Sequence, residues 1–356
     1  MTNDKLPMTN PKAEKSKLKQ LGKIDRKAVN VSSEGLTKTS YFQPKTPLPL
    51  IIEPTVEGLN LTQWIQHNRE AIATQLLQHG GILFRGFQVD NVTGFERFLQ
   101  LVSGELLEYS FRSTPRTQVK GNIYTSTEYP SEQFIPLHNE MAYARSYPLK
   151  IAFFCLQAAT QGGETPIADS RKVFQLLAPE IKQKFQQKGV MYVRNYGGGV
   201  DLTWQTVFNT NNKSNVEYYC QRSQIEFKWK DSDRLQTRQV CQAIAKHPQT
   251  AETVWFNQAH LFHISNLEPT VKEQLLTHFK PEDLPRNAYY GDGSPIEDAV
   301  LAEIRKVYQQ AAIIFPWRQG DVLLLDNLLA AHGRMPFTGA RKIVVGMAEQ
   351  IGCQDI

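Results

Sequence analysis

Short apolar runs closed by glycine, proline or a polar pair recur along this chain, and they constrain its fold more than any other feature. Ile82-Leu-Phe-Arg-Gly-Phe87 follows His79-Gly-Gly81. Runs of the same kind return at Phe134–His138, Lys150–Leu156, Val190–Asn195, Glu252–Asn257, Asp321–Asp326 and Arg341–Ala348. Apolar runs of this size between turn residues read as buried strands. Between them lie helix-like patterns at Leu61–Gln78 (read as one amphipathic helix), Ser170–Gln187, Arg234–Lys246 and Glu297–Ala312. The regular strand–helix alternation of a doubly wound sheet is missing. Gly197-Gly-Gly199 leads into no helix pattern, so it gives no phosphate-loop signal. No repeat of about 20–50 residues sets up a solenoid or propeller. The expected class is mainly β with helical insertions, a barrel or sandwich core wrapped by helices.

Several function classes drop out on composition. The longest apolar stretches, Ile151–Leu156 and Val322–Leu325, fall far short of the roughly 20 residues of a membrane helix. The opening MTNDKLPMTN lacks the apolar core of a secretory signal. Four cysteines with no CxxC spacing argue against a zinc or disulfide framework, so the reducing cytoplasm is the expected compartment. Charge is uneven: residues 1–45 hold ten Lys/Arg against four acids, a net +6, while the whole chain is +5. Residues 1–47 therefore read as a basic extension and 48–356 as a single domain. The extension reads as a solvated leader, with a nucleic-acid arm or a docking arm for an acidic partner protein as the alternatives. The body carries no basic stripe interleaved with aromatics, so neither nucleic acid nor a membrane is an expected partner. Oligomeric state leaves no signal in the sequence.

Three segments could carry chemistry. In Phe-Ile-Pro-Leu-His138-Asn-Glu140-Met, an extended backbone would put His138 and Glu140 on one face, because strand side chains repeat with period two. An imidazole and a carboxylate side by side are two-thirds of a facial triad for non-haem Fe(II), and a distant histidine must complete it. Gly320-Asp-Val-Leu-Leu-Leu-Asp326-Asn327-Leu-Leu-Ala-Ala-His332-Gly-Arg334 reads as a core strand delivering a histidine, with Arg341 opening the next apolar run. An arginine there suits a carboxylate held in a two-pronged fork. Gln161-Gly-Gly-Glu-Thr165-Pro-Ile-Ala-Asp169-Ser reads as a turn capped into a helix.

Taken together and in this order, these segments resemble the taurine dioxygenase/clavaminate synthase-like family of Fe(II)- and 2-oxoglutarate-dependent oxygenases. Within it they are most similar to the SyrP-like hydroxylases of nonribosomal peptide assembly. Tyr192-Val-Arg-Asn-Tyr196, Trp255-Phe-Asn-Gln258 and Asn287-Ala-Tyr-Tyr-Gly-Asp-Gly293 add to the likeness, which spans roughly residues 48–350. The resemblance implies a double-stranded β-helix, or jelly roll, with His138, Glu140 and His332 as catalytic iron ligands. It also implies Arg341 and Thr165 as contacts to 2-oxoglutarate, and O2 as the oxidant. A retained carboxylate at Glu140 argues against a halogenase. Val344-Val345-Gly346 stands where some relatives carry a further arginine.

The activity implied is hydroxylation of an aliphatic carbon of an amino acid, free or tethered to a peptidyl carrier protein, in natural-product biosynthesis. 2-Oxoglutarate would be decarboxylated to succinate. Desaturation, cyclisation or epoxidation by the same site, and a non-catalytic scaffold relative, are the alternatives. Met141, Tyr143 and Arg334 are candidate substrate contacts. Asp326 and Asn327 are candidates for orienting His332. Trp255, Phe256 and Asn257 are expected to pack the core. His260 and His263, with no carboxylate beside them in sequence, are expected to be structural.

Overall fold

Side chains of the strand Val322–Asp326 alternate between two cores, and that alternation sets the architecture. Val322 and Leu324 join Ile82, Phe84, Phe154 and Val344 against helices carrying Leu61, Ile65, Phe95 and Phe98. Leu323 and Leu325 join Phe153, Val345 and Met347 on the opposite face, against Ile167 and Ala330 of a second sheet. A strand buried on both faces needs this continuous apolar run. The computed structural model describes residues 35–356 apart from Lys45, Ser110, Arg112 and Ser232.

The larger sheet has eight strands, in the order Thr37–Ser40, Leu50–Pro54, Gly81–Phe84, Val322–Asp326, Ser146–Gln157, Lys342–Gly352, Ile123–Thr125 and Gln118–Lys120. Its pairings are antiparallel except between Leu50–Pro54 and Gly81–Phe84. The facing sheet sets Ala330–Arg334 between Ile135–His138 and Ile167–Asp169. These two sheets form the jelly-roll core. A separate four-stranded sheet, Glu226–Lys230, Arg234–Cys241, Val190–Tyr196 and Arg286–Tyr290, is entirely antiparallel. Among the described residues no helix is long and apolar enough to cross a membrane.

Four expectations from the sequence are corrected. The pattern over Arg234–Lys246 forms strands, Arg234–Cys241 and Ile244–Lys246, not a helix. Thr237, Gln239 and Cys241 are buried while Arg238 and Val240 are exposed, a period of two imposed between paired strands; Leu235 is buried too, and Gln236 is buried out of phase, its side chain donating to Asn195 Oδ1 and the Glu282 carbonyl. Leu61–Gln78 is two helices, Leu61–Gln66 and Arg69–His79. At the break the Asn68 side chain donates to the Trp64 carbonyl at 2.7 Å, offering that carbonyl a partner other than the helical backbone. Ser170–Gln187 splits into Ser170–Leu176 and Pro179–Lys188. Proline lacks the N–H the helix needs and holds the preceding Ala178 extended, with ψ 140°. Finally, Thr37–Ser40 pairs with Leu50–Pro54, so part of the segment read as extension belongs to the sheet. Residues 1–34 of that extension lie outside the described residues.

Candidate metal and cosubstrate site

His138 ends its strand directly opposite His332 on the neighbouring antiparallel strand, with ring centroids 4.6 Å apart. Glu140 follows in a turn whose tip, Met141, has a left-handed backbone, φ +56°. One ligand atom from each of His138, Glu140 and His332 lies within 4.8 Å of the other two, and Glu140 and His332 are buried. The His138 Nδ1–H donates to the Pro136 carbonyl at 2.7 Å, which leaves Nε2 as the lone-pair nitrogen. His332 Nε2 sits 3.6 Å from Glu140 Oε2. Two imidazoles and one carboxylate, with no further ligand among the described residues, fit a facially held Fe(II) with open positions.

Electrostatics keep this donor set ready. Burial works against ionising Glu140, but the Arg116 guanidinium and the two histidines hold its carboxyl down at about 2. Arg116 Nη2 donates to Glu140 Oε2 at 2.8 Å. Burial, and next the neighbouring His332, bring His138 down to about 4. Both groups are thus in their metal-binding forms at neutral pH. The same burial brings His260 to about 3 and His263 to about 4. The unfolded chain takes up these protons near pH 6.5, well above the folded values. Folding stability is therefore expected to fall as pH drops from about 6.5 towards 4. Melting curves of the metal-free protein at pH 7.5, 6 and 5 read this directly, and a flat profile would contradict it.

Asn327 is the clamp on this turn. Its Oδ1 accepts the Glu140 N–H at 2.7 Å, and its Nδ2 donates to the carbonyls of Glu140 and Pro148 at 2.9 and 2.8 Å. Asn139 Nδ2 in turn donates to the Asn327 carbonyl at 2.7 Å. Asp326 accepts the Leu328 and Leu329 N–H groups and pairs with His247 at 3.0 Å. So neither residue orients His332, as the sequence allowed; Asn327 fixes the backbone of the other ligand. Asn327→Ala leaves several buried backbone groups unpaired, at about 1–3 kcal/mol each. It is expected to weaken Fe(II) binding by about 10–100-fold, measured by anaerobic titration.

A pocket opens on His138 and His332, lined also by Arg116, Ser126, Phe153, Thr165, Arg334 and Arg341. Arg341 donates from Nε to the Gly163 carbonyl at 2.8 Å and from Nη1 to Ser126 Oγ at 3.1 Å. Burial, then repulsion from Arg334, lowers it to about 10. Among the described residues it has no ion-pair partner, so a carboxylate ligand suits it. Gly163, at φ +72°, leaves room for this arginine, since a Cβ there would stand 3.0 Å from Arg341 Cδ. The Thr165 hydroxyl accepts from Trp317 Nε1 at 3.1 Å and keeps its own proton to donate. These groups fit a dicarboxylic cosubstrate chelated beside the triad.

The candidate substrate contacts fare differently. Tyr143 is buried in the core beside Phe111 and Phe262, its hydroxyl donating to the Phe111 carbonyl, and it does not line the cavity. Met141 packs against core clusters and does not line it either. Adjacency in sequence misleads here because the turn after Glu140 swings both side chains away from the strand face. Arg334 does line the cavity, but its Nη groups hold the carbonyls of Tyr129, Pro130 and Gln133. Trp255, Phe256 and Asn257 are buried, and His260 donates to or accepts from no carboxylate, facing the Leu137 carbonyl at 2.9 Å. Sequence reasoning missed Arg116, Ser126 and Phe153. Nothing in Arg112-Ser-Thr-Pro-Arg116 distinguishes the arginine that reaches Glu140 from the one that precedes it.

The jelly roll and its His-Glu-His site define a non-haem Fe(II)- and 2-oxoglutarate-dependent dioxygenase. The chain belongs to the taurine catabolism dioxygenase TauD, TfdA family, whose model matches residues 43–348. It is 43% identical over 301 residues to the dapdiamide synthesis protein DdaC of Enterobacter agglomerans, covering 85% of this chain and 91% of the relative. It is 28% identical to a clavaminate synthase-like protein of Arabidopsis thaliana, covering 88% and 97%. Solved structures share the fold. PvcB of Pseudomonas aeruginosa gives a TM-score of 0.51 at 16% identity, over 84% of each chain. A putative alpha-ketoglutarate-dependent taurine dioxygenase of Burkholderia xenovorans gives 0.52 at 14% identity, over 89% and 95%.

Proposed function

We propose that this dioxygenase hydroxylates an aliphatic carbon of an amino acid, free or bound to a peptidyl carrier protein, in the synthesis of a natural product. His138, Glu140 and His332 hold Fe(II), while Arg341 and Thr165 hold 2-oxoglutarate. The carrying observation is the convergence of the three ligand atoms within 4.8 Å on the cavity that Arg341 and Thr165 line. The name of the 43%-identical relative, given for dapdiamide synthesis, supports the biosynthetic setting. When bound, the metal, 2-oxoglutarate and O2 supply oxidative decarboxylation to succinate and CO2 coupled to oxidation of a substrate carbon.

The chain's own part is placement. The paired strands fix two imidazoles at one height, the Asn327 clamp fixes Glu140, and Arg116 keeps that carboxylate ionised. Arg341, pinned by Gly163 and Ser126, sets the far end of the cosubstrate. Phe153 packs at a tilt against the His332 ring, centroids 5.1 Å apart, and keeps that side of the site apolar. Anaerobic addition of Fe(II) and then 2-oxoglutarate is expected to raise a visible charge-transfer band that His138→Ala loses. Product analysis of free and carrier-bound amino acids then separates hydroxylation from desaturation, cyclisation or epoxidation. No hydroxylated amino acid from any of them, with the band intact, would overturn the proposal.

A further inference from the structure

We propose that the substrate carries a carboxylate and that Arg116 is the residue that reads it. This rests on the oxygenase site described above and names the chemistry its substrate must bring. Arg116 lines the cavity beside the triad with its side chain 3% exposed. One nitrogen, Nη2, donates to Glu140. Nε and Nη1 are buried and make no geometrically formed hydrogen bond, with the Tyr109 side chain as their near neighbour. Buried donors are nearly always paired, and leaving them bare costs free energy that a ligand can return. Tyr109, whose ring lies 4.9 Å under the guanidinium, gives it a flat support that leaves the edge for a fork-like contact.

Charge points the same way. Three guanidiniums, on Arg116, Arg334 and Arg341, line this one cavity, and no acid does. With ferrous ion, Glu140 and both carboxylates of 2-oxoglutarate counted, two positive charges remain, on Arg116 and Arg334. Glu132 and Glu164 are the acids nearest Arg334 and Arg341, but they form no ion pair with either among the described residues. Glu132 is exposed and Glu164 half-buried, so water screens both. Arg334 spends its Nη groups on the carbonyls of Tyr129, Pro130 and Gln133. Arg341 is taken by the cosubstrate. Arg334 keeps one unpartnered donor, Nε, whereas Arg116 has two, Nε and Nη1, beside the reacting centre, and a carboxylate matches both its charge and its planar geometry.

The test uses the full chain loaded anaerobically with Fe(II) and saturating 2-oxoglutarate. Probes are amino acids and their desamino counterparts, each as the free acid and as the primary amide, read by their perturbation of the visible charge-transfer band. Acids are expected to bind at least about 10-fold more tightly than their amides. Arg116→Gln keeps a donor for Glu140 but removes the charge; with Fe(II) raised to offset the weaker metal binding this change brings, it should shrink that ratio to about two. Arg116→Lys, which keeps charge without the fork, should fall between and serves if the glutamine variant does not fold. Equal binding of acid and amide, or no response to any acid, would overturn the inference. So would loss of the band in a folded Arg116→Gln, because Arg116 would then serve only Glu140. Tight binding of desamino acids with no preference for amino acids would uphold the carboxylate and remove the amino-acid reading.

Discussion

Glu140→Ala is expected to cost this protein both its metal and a large part of its stability. Among the three converging ligands it is the one carboxylate, so Fe(II) affinity should drop at least about 100-fold, with 2-oxoglutarate turnover lost alongside. The stability effect has a separate origin. Glu140 Oε2 is the ion-pair partner of Arg116, and both side chains are almost fully buried, at 4% and 3% exposed. Truncating one member of such a pair strands the other charge in a poorly solvated site, at about 3–5 kcal/mol. Glu140→Gln keeps the shape and an acceptor for Arg116, so it should lose metal affinity with less loss of stability. Adding Arg116→Met to Glu140→Ala should return stability without returning metal binding. Thermal melts and Fe(II) titrations of the three variants measure both effects, and a Glu140→Ala melting temperature equal to wild type would refute the stranded-charge account.

Arg341→Ala is expected to raise the KM for 2-oxoglutarate by about 30–150-fold, with much less change in kcat at saturation. A charge-assisted fork to a carboxylate in a desolvated pocket is worth about 2–3 kcal/mol, which at this temperature corresponds to that ratio. Its loss falls mainly on binding because the far carboxylate does not react. Arg341→Lys should recover only part, since an ammonium cannot span Gly163, Ser126 and the ligand at once. Steady-state kinetics with succinate release as the readout decide it. An unchanged KM would place the cosubstrate carboxylate elsewhere.

The strand-rich class and the positions of most core strands were legible because burial on both faces writes itself as unbroken apolar runs, as in Val322–Asp326. The metal triad was legible because His138 and Glu140 are close in sequence, while His332 as the third ligand came from the family resemblance. Arg234–Cys241 was not, because its buried set includes Thr237 and Gln239, polar residues that carry no hydrophobic signal. Arg116 was invisible for a different reason. Its partner is 24 residues away, and only the fold closes that distance. Tyr143 is near the metal motif along the chain, but its side chain packs in the core and not on the cavity. Asn327 was picked out by its place at a strand end, but which ligand it serves depends on the turn at Met141.

His138 and His332 face one another across a two-strand ladder, and the register between those strands shifts just beyond, between His332 and Arg334. A shared ion would therefore act as a rivet across this irregular seam of the three-stranded sheet. Because only the closed seam presents all three ligands, occupancy and closure are one equilibrium, and a hundredfold excess of metal over its dissociation constant adds about 2.7 kcal/mol to the folded state. Iron supply then sets how long the protein lasts as well as how fast it works: starved of metal, the chain would be the better substrate for proteases.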